Sequence, residues 1–94
     1  MPKQWPPLTY QEVVAILECW GFEQKRQVGS HEQWCKEYKG RPYFVTVDNH
    51  HSVYNDPDLI QSMVRQSGLT RQQFYAGCRS SANKINVAPL KYAR

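Results

Sequence analysis

Apolar residues recur at helical spacing in the first part of the chain. This segment follows Thr9, which is positioned to form a capping box with Glu12, and it stops at Gly21. The apolar residues are Val13, Val14, Ile16, Leu17 and Trp20. The pattern predicts an amphipathic helix over about residues 10–20.

A second segment with helical spacing lies in the C-terminal half. Asp56-Pro57 provides an N-cap followed by proline at the first helical position, and Gly68 marks the end. Its apolar face consists of Leu59, Ile60, Met63 and Val64. Thr70 and Gln73 repeat the capping-box pattern, so we expect a short third helix as far as about residues 75–77.

The residues between the two helical segments have the character of strands. Strands are predicted over residues 22–28, 31–38 and 43–47. A type II′ turn at Gly29-Ser30 and a second turn at 39–42 separate them. Strict alternation divides the first strand into two faces. One face holds Phe22, Gln24, Arg26 and Val28, and the other holds Glu23, Lys25 and Gln27.

The order of these elements predicts an α+β fold with an α-β-β-β-α core. Three meandering antiparallel strands form one sheet, two helices cover one of its faces, and a short helix and a tail follow. This is the topology of double-stranded-RNA-binding domains. We divide the chain into an extended N-terminal lead (1–8), the domain itself (9–77) and a basic C-terminal tail (78–94).

Composition restricts the chain to one folded domain. With 94 residues, 40% hydrophobic and 13% aromatic, it can bury one modest core. No apolar run approaches the ~20 residues that cross a bilayer, and the N-terminus lacks the apolar run of a secretory signal. The three cysteines form no paired framework, which favours reduced thiols in the cytoplasm.

The net charge of +4 arises entirely in the C-terminal segment. Acidic and basic residues cancel up to residue 78, and the remainder contains basic residues but no acidic ones. A basic segment of this kind is typical of either a phosphate-binding arm or a solvated chain end.

Histidines provide the most informative candidate chemistry. Histidine exchanges a proton near neutral pH, and His31 begins a strand directly after a tight turn, at a fixed and partly exposed position. His50 and His51 are adjacent, so they cannot form a helical i, i+4 metal pair, and no cysteine has zinc-site spacing with them. We therefore predict no metal site and no cofactor.

These segments together resemble the HicA family of bacterial toxins over about residues 9–75. The matching pieces are Gly21-Phe22, Arg26, Gly29-Ser30-His31, Val45-Thr46-Val47, His50 or His51, and Gly68-Leu69-Thr70 through Phe74. The resemblance implies a small mRNA interferase with a double-stranded-RNA-binding-like fold. It also implies that His31 cuts RNA and that a HicB-like antitoxin inhibits the toxin.

The chain departs from the family pattern close to this motif. Glu32 stands where many members have a second histidine, and Asp48 stands where a proline is usual. We expect both residues to bring negative charge near the RNA surface.

Further RNA contacts are predicted around the first turn. Gly29 and Ser30 form the turn, and either Arg26 or Lys25 faces the site, because they point to opposite faces of one strand. Trp34 is a candidate for base stacking, with the core as the alternative. Tyr38, Tyr43 and Phe44 are further aromatic candidates.

RNA supplies its own nucleophile, so cleavage needs no covalent residue or metal. The expected activity is metal-independent endoribonuclease action in the cytoplasm by a monomer or homodimer. The alternatives are a non-catalytic RNA-binding or partner-binding module, and an interaction protein that docks another chain on its free sheet face.

Overall fold

A three-stranded antiparallel sheet lies at the centre of the fold, in the strand order β2-β3-β4. The computed structural model describes residues 5–91 and 93. In chain order the elements are β1 (Leu8–Thr9), α1 (Tyr10–Cys19), β2 (Glu23–Val28), β3 (His31–Tyr38), β4 (Arg41–Asp48), β5 (Val53–Tyr54), α2 (Pro57–Ser67), α3 (Arg71–Ala76) and α4 (Arg79–Lys84). The predicted α-β-β-β-α arrangement is confirmed.

Local signals set the ends of the helices as predicted. The Thr9 hydroxyl accepts from the backbone N–H of Glu12 at 3.1 Å, and the Glu12 carboxylate accepts from the N–H of Thr9 at 2.9 Å. Asp56 caps α2 with Pro57 at the first helical position. Gly68 ends α2 in the left-handed conformation, with φ of 76°. The capping box of Thr70 and Gln73 also forms and opens α3.

Two tight turns fix the register of the sheet. Gly29 has φ of 59°, as the first central residue of a type II′ turn requires, and Val28 pairs with His31. Lys39 and Gly40 have φ of 53° and 76°, as a type I′ turn requires, and Tyr38 pairs with Arg41. The pairing of β3 with β4 continues from there without interruption.

A β-bulge in β2 overturns the predicted division of that strand into two faces. Gln24 pairs with Trp34 but Arg26 pairs with Gln33, which leaves Lys25 as the extra residue. Paired residues share a face, so Gln24 and Arg26 lie on opposite faces of the sheet. The prediction of strict alternation was wrong because the extra residue shifts the alternation by one position. Residues before Lys25 and residues after it therefore follow opposite alternations.

The core lies between one face of the sheet and the helices. It contains Val13, Ile16 and Leu17 of α1, Trp34, Val45 and Val47 of the sheet, and Ile60, Met63 and Val64 of α2. The other face of the sheet is largely uncovered, and its exposed apolar residues are Val28 and Phe44. We call this surface the open face.

The segments predicted as a lead and a tail contain regular structure. Leu8–Thr9 pairs antiparallel with Val53–Tyr54, and α4 lies within the predicted tail. Lys84 of α4 donates to the buried carboxylate of Glu12 at 2.7 Å and to the carbonyl of Pro7 at 2.8 Å. Residues 1–4 of the lead, and Tyr92 and Arg94 of the tail, lie outside the described residues. None of the helices within 5–91 is long and apolar enough to span a membrane.

Candidate active site

His31 is an exposed side chain at the first position of β3, immediately after the Gly29-Ser30 turn. It pairs with Val28 on one side and with Asp48 on the other. Directly paired residues share a face, so these three side chains project from the same end of the open face. The sheet thus presents His31 to solvent with a carboxylate beside it.

Asp48 organises the polar groups around this end of the sheet. Its Oδ1 accepts from the backbone N–H of His50 at 2.9 Å, and its Oδ2 lies 3.8 Å from Nε2 of His51. The hydrogen bond from His50, a further one from the Ser30 hydroxyl and the nearby His31 hold the pKa of Asp48 below its ordinary value. Asp48 is therefore ionised at neutral pH, next to the candidate catalytic histidine.

Hydrogen bonds to backbone carbonyls hold the turn that carries His31 and the neighbouring end of β4. The N–H of Asn49 donates to the Ser30 carbonyl at 2.7 Å, and the Gln27 side chain donates to the Gly29 carbonyl at 3.0 Å. The Tyr54 hydroxyl donates to the Asp48 carbonyl at 2.6 Å. Burial, followed by the charge of Asp48, raises the pKa of Tyr54 to about 12, so this donor stays protonated at neutral pH.

A shallow depression of about 200 Å³ lies beside His31. Arg26, Val28, Gln33 and Thr46 contribute to its lining. Arg26 and Lys25 were the two cations predicted near the site. Of these, Arg26 lines the same depression as His31. The Lys25 ammonium instead contacts the Glu23 carboxylate at 2.9 Å and does not line the depression.

Two residues predicted at the RNA surface face the core instead. Trp34 is only 5% exposed and Glu32 only 3% exposed. Counting along β3 from the outward-facing His31 brings both to the helix side. Trp34 therefore offers no exposed stacking surface. Glu32 contributes to the wall of the depression, but its carboxylate is held on the helix side by hydrogen bonds.

Hydrogen bonds satisfy the buried Glu32 carboxylate from three elements. Its donors are the Tyr10 hydroxyl at 2.6 Å, the Asn49 amide at 2.9 Å and the Trp34 indole N–H at 3.0 Å. Burial and the bond to Glu32 raise the pKa of Tyr10 to about 12, so this hydroxyl remains a donor. Glu32 thus links α1 to the loop after β4. That loop includes Asn49, whose backbone N–H holds the turn before His31.

The two loop histidines lie beside the site. His51 approaches Asp48, and its ring centroid is 5.8 Å from that of Tyr54. His50 is exposed and contributes its backbone N–H to Asp48. Within residues 5–91 and 93, no group of three or more His, Cys, Asp or Glu side chains is arranged to hold a metal ion.

Phe44 is the aromatic candidate on the open face. It is 50% exposed and lies four positions from Asp48 along β4, on the same face and about 13 Å away at ~3.3 Å per residue. Tyr38 and Tyr43 project from the opposite face of the sheet. Tyr38 lies an odd number of positions from His31 along β3, and Tyr43 pairs with Lys36, the neighbour of the outward-facing Cys35.

Sequence reasoning treated Asp48 only as a nearby charge and not as the partner of His31. The signal that identifies it is the second turn. If Lys39-Gly40 is a two-residue turn, Tyr38 pairs with Arg41, and the same number of steps along each strand leads to His31 and Asp48.

The fold and the site together define a small α+β domain that exposes a histidine on an open sheet face. The family model described as the HicA toxin of bacterial toxin–antitoxin systems matches residues 10–69, which is more than half of the chain. The chain therefore belongs to the HicA toxin family, and it is a toxin of a toxin–antitoxin system. No curated protein and no solved structure gives a significant match.

Proposed function

We propose that the protein is a metal-independent mRNA endoribonuclease in which His31 is the catalytic residue. The observation that carries the proposal is the exposed His31 ring, held by a hydrogen-bonded turn with Asp48 opposite and Arg26 lining the adjacent depression. A histidine in this setting provides general acid–base catalysis, which contributes about 10²–10⁴-fold in rate.

The reaction uses the 2′-hydroxyl of the RNA as its nucleophile. Its oxygen attacks the adjacent phosphorus, the bond from phosphorus to the 5′-oxygen breaks, and the products carry a 2′,3′-cyclic phosphate and a 5′-hydroxyl. Two protons move: one leaves the 2′-hydroxyl, and one reaches the departing 5′-oxygen. His31 serves one of these transfers and water the other.

The surrounding residues orient the substrate and the histidine. The Arg26 guanidinium binds the phosphate, because its planar donors match phosphate oxygens. The Asp48 carboxylate lies beside the imidazole on the same face of the sheet, because Asp48 pairs with His31 in the register. The Gly29-Ser30 turn brings the RNA backbone close to His31.

A HicB-like antitoxin is the proposed inhibitor. The open face is suited to such a partner, because it exposes Val28 (61%) and Phe44 (50%) around the polar site. Covering these residues would bury His31 at the same time. Binding of the antitoxin and binding of RNA are therefore expected to be mutually exclusive.

Controlled expression in bacteria tests this function. Wild-type protein should stop growth and deplete mRNA, and His31→Ala should do neither although it folds. His50→Ala is the matched control, because His50 is exposed in the same region but contributes only its backbone to the site. Growth arrest by folded His31→Ala would contradict the catalytic assignment. RNA binding without turnover by the wild type would favour the non-catalytic module.

A further inference from the structure

A second concave site lies at the end of the sheet far from His31, on the helix side. It is a pocket of about 280 Å³ lined by Trp20, Lys36, Tyr38 and Tyr43, with residues 67–69 and Gln73 completing the wall. We call it the cation–aromatic pocket. None of its lining residues belongs to the depression beside His31.

Cations contact the aromatic rings of this pocket: Lys36 is part of its lining, and Lys39 and Arg41 lie against lining rings from outside it. The Lys36 ammonium lies 5.8 Å from the ring centroid of Trp20 and 5.3 Å from that of Tyr38. Lys39 lies 5.4 Å from the Tyr38 ring, and the Arg41 guanidinium lies 5.1 Å from the Tyr43 ring. Such distances are within the range of cation–π attraction.

These cations are not neutralised by the part of the chain that the structure describes. The ion pairs there are Lys25–Glu23, His51–Asp48 and Lys84–Glu12, and none involves Lys36, Lys39 or Arg41. The nearby Glu37 pairs with Pro42 in the register and so faces the open side of the sheet. The pocket therefore retains its positive charge.

We propose that the cation–aromatic pocket binds one nucleotide of the RNA substrate, several nucleotides away from the cleaved bond. The base stacks on the exposed ring of Tyr38, and the phosphates contact Lys36 and Lys39. This combination of stacking surface and backbone charge is how proteins hold single-stranded nucleic acid. The inference rests on the proposed function, which supplies RNA as the substrate.

The dimensions of the pocket suit this occupant. A volume of about 280 Å³ leaves room for one base. Lys36 is five residues from His31 along β3, or about 17 Å. The two sites are therefore too far apart for adjacent nucleotides, and the RNA passes the end of the sheet between them.

Binding assays in the His31→Ala background test the pocket without cleavage. The probe is a fluorescein-labelled single-stranded RNA of about 12 nucleotides, which is long enough to reach both sites. Tyr38 is 52% exposed, so Tyr38→Ala should fold normally. We expect it to weaken binding of this RNA roughly tenfold, with Tyr38→Trp restoring affinity.

Charge is tested separately through the salt dependence. The double variant Lys36→Gln/Lys39→Gln should flatten the slope of log K against log salt by about 1.4, since each phosphate contact contributes ~0.7 for single strands. Arg65→Gln, an exposed charge on α2, is the control and should change the slope less. Binding of the RNA probe within twofold of the parent for Tyr38→Ala would overturn the proposal.

The outcomes separate this inference from the proposed function. Cleavage of RNA by wild-type protein together with unchanged binding by Tyr38→Ala would reject the pocket alone. Pocket-dependent binding without cleavage would reject the nuclease and retain the pocket. If Tyr38→Ala impairs neutralisation by the antitoxin but leaves RNA binding unchanged, the occupant is a protein and the RNA assignment is wrong.

Discussion

Replacing Lys84 by methionine tests whether the C-terminal helix is an integral part of the fold. The Lys84 ammonium donates to the Glu12 carboxylate at 2.7 Å and to the Pro7 carbonyl at 2.8 Å. Glu12 is only 7% exposed, so its charge depends on such partners. Methionine keeps most of the aliphatic stem and removes the charge.

The expected loss of stability follows from these contacts. A hydrogen bond to a charged group contributes about 1.5–3 kcal/mol. The Lys84 side chain is 35% exposed, so water replaces part of what is lost. The Ser80 hydroxyl and the Thr9 N–H still donate to Glu12. We therefore expect Lys84→Met to lower the free energy of unfolding by about 2 kcal/mol and Tm by roughly 10 °C.

Urea and thermal unfolding of single and double variants measure this coupling. Lys84→Met, Glu12→Gln and their combination form a double-mutant cycle, and we expect a coupling of at least about 1 kcal/mol. Lys25→Met is the matched control, because its partner Glu23 is largely exposed and such pairs contribute little. A coupling near zero, or an equal loss in the control, would refute the reasoning.

The contact between Lys84 and Glu12 also makes the stability of the fold depend on pH. Burial alone would raise the pKa of Glu12, but hydrogen bonds from Lys84 and Ser80 outweigh it and hold the pKa below its usual 4.5. The folded state therefore gains stability above pH 4.5 and loses it as the pH falls through the lowered pKa. The loss of stability on acidification should therefore be smaller in Lys84→Met than in the wild type.

Three further predictions test the supports of the fold and the site. Glu32→Ala removes the acceptor of three donors and should cost about 3 kcal/mol or more by urea unfolding, with Glu32→Gln losing less. Gly68→Ala and Gly40→Ala both meet φ of 76°, but only at Gly68 would the new Cβ lie 2.7 Å from the Tyr43 ring. Gly68→Ala should therefore lower Tm more, and equal losses would contradict this contact. Asp48→Asn removes the carboxylate that pairs with His31 across β3 and β4, so the folded variant should cleave RNA more slowly than the wild type; an unchanged rate would remove Asp48 from the mechanism.

The helix ends and turns could be predicted because their causes are local. Thr9 with Glu12, Asp56 before Pro57, and Gly68 each act within a few residues of the chain, and each prediction is confirmed. The Gly29-Ser30 turn is similar, because glycine at this position accepts the positive φ that the turn requires.

Other features depend on contacts between distant residues and carry no local signal. The bulge at Lys25 has no glycine to mark it, yet it reverses which side of β2 faces the core. The helix α4 gains its support from Lys84 and Glu12, which are 72 residues apart. The burial of Glu32 follows from the partners that surround it and not from its own polarity.

Cleavage of RNA by purified protein tests the central claim most directly. Wild-type protein and His31→Ala, each shown to be folded and free of partner, are incubated with a long single-stranded RNA in EDTA, and the ends of the products are identified. We expect cleavage by the wild type alone, with 2′,3′-cyclic phosphate ends. Cleavage by both proteins, cleavage that stops in EDTA, or no cleavage by the folded wild type would contradict it.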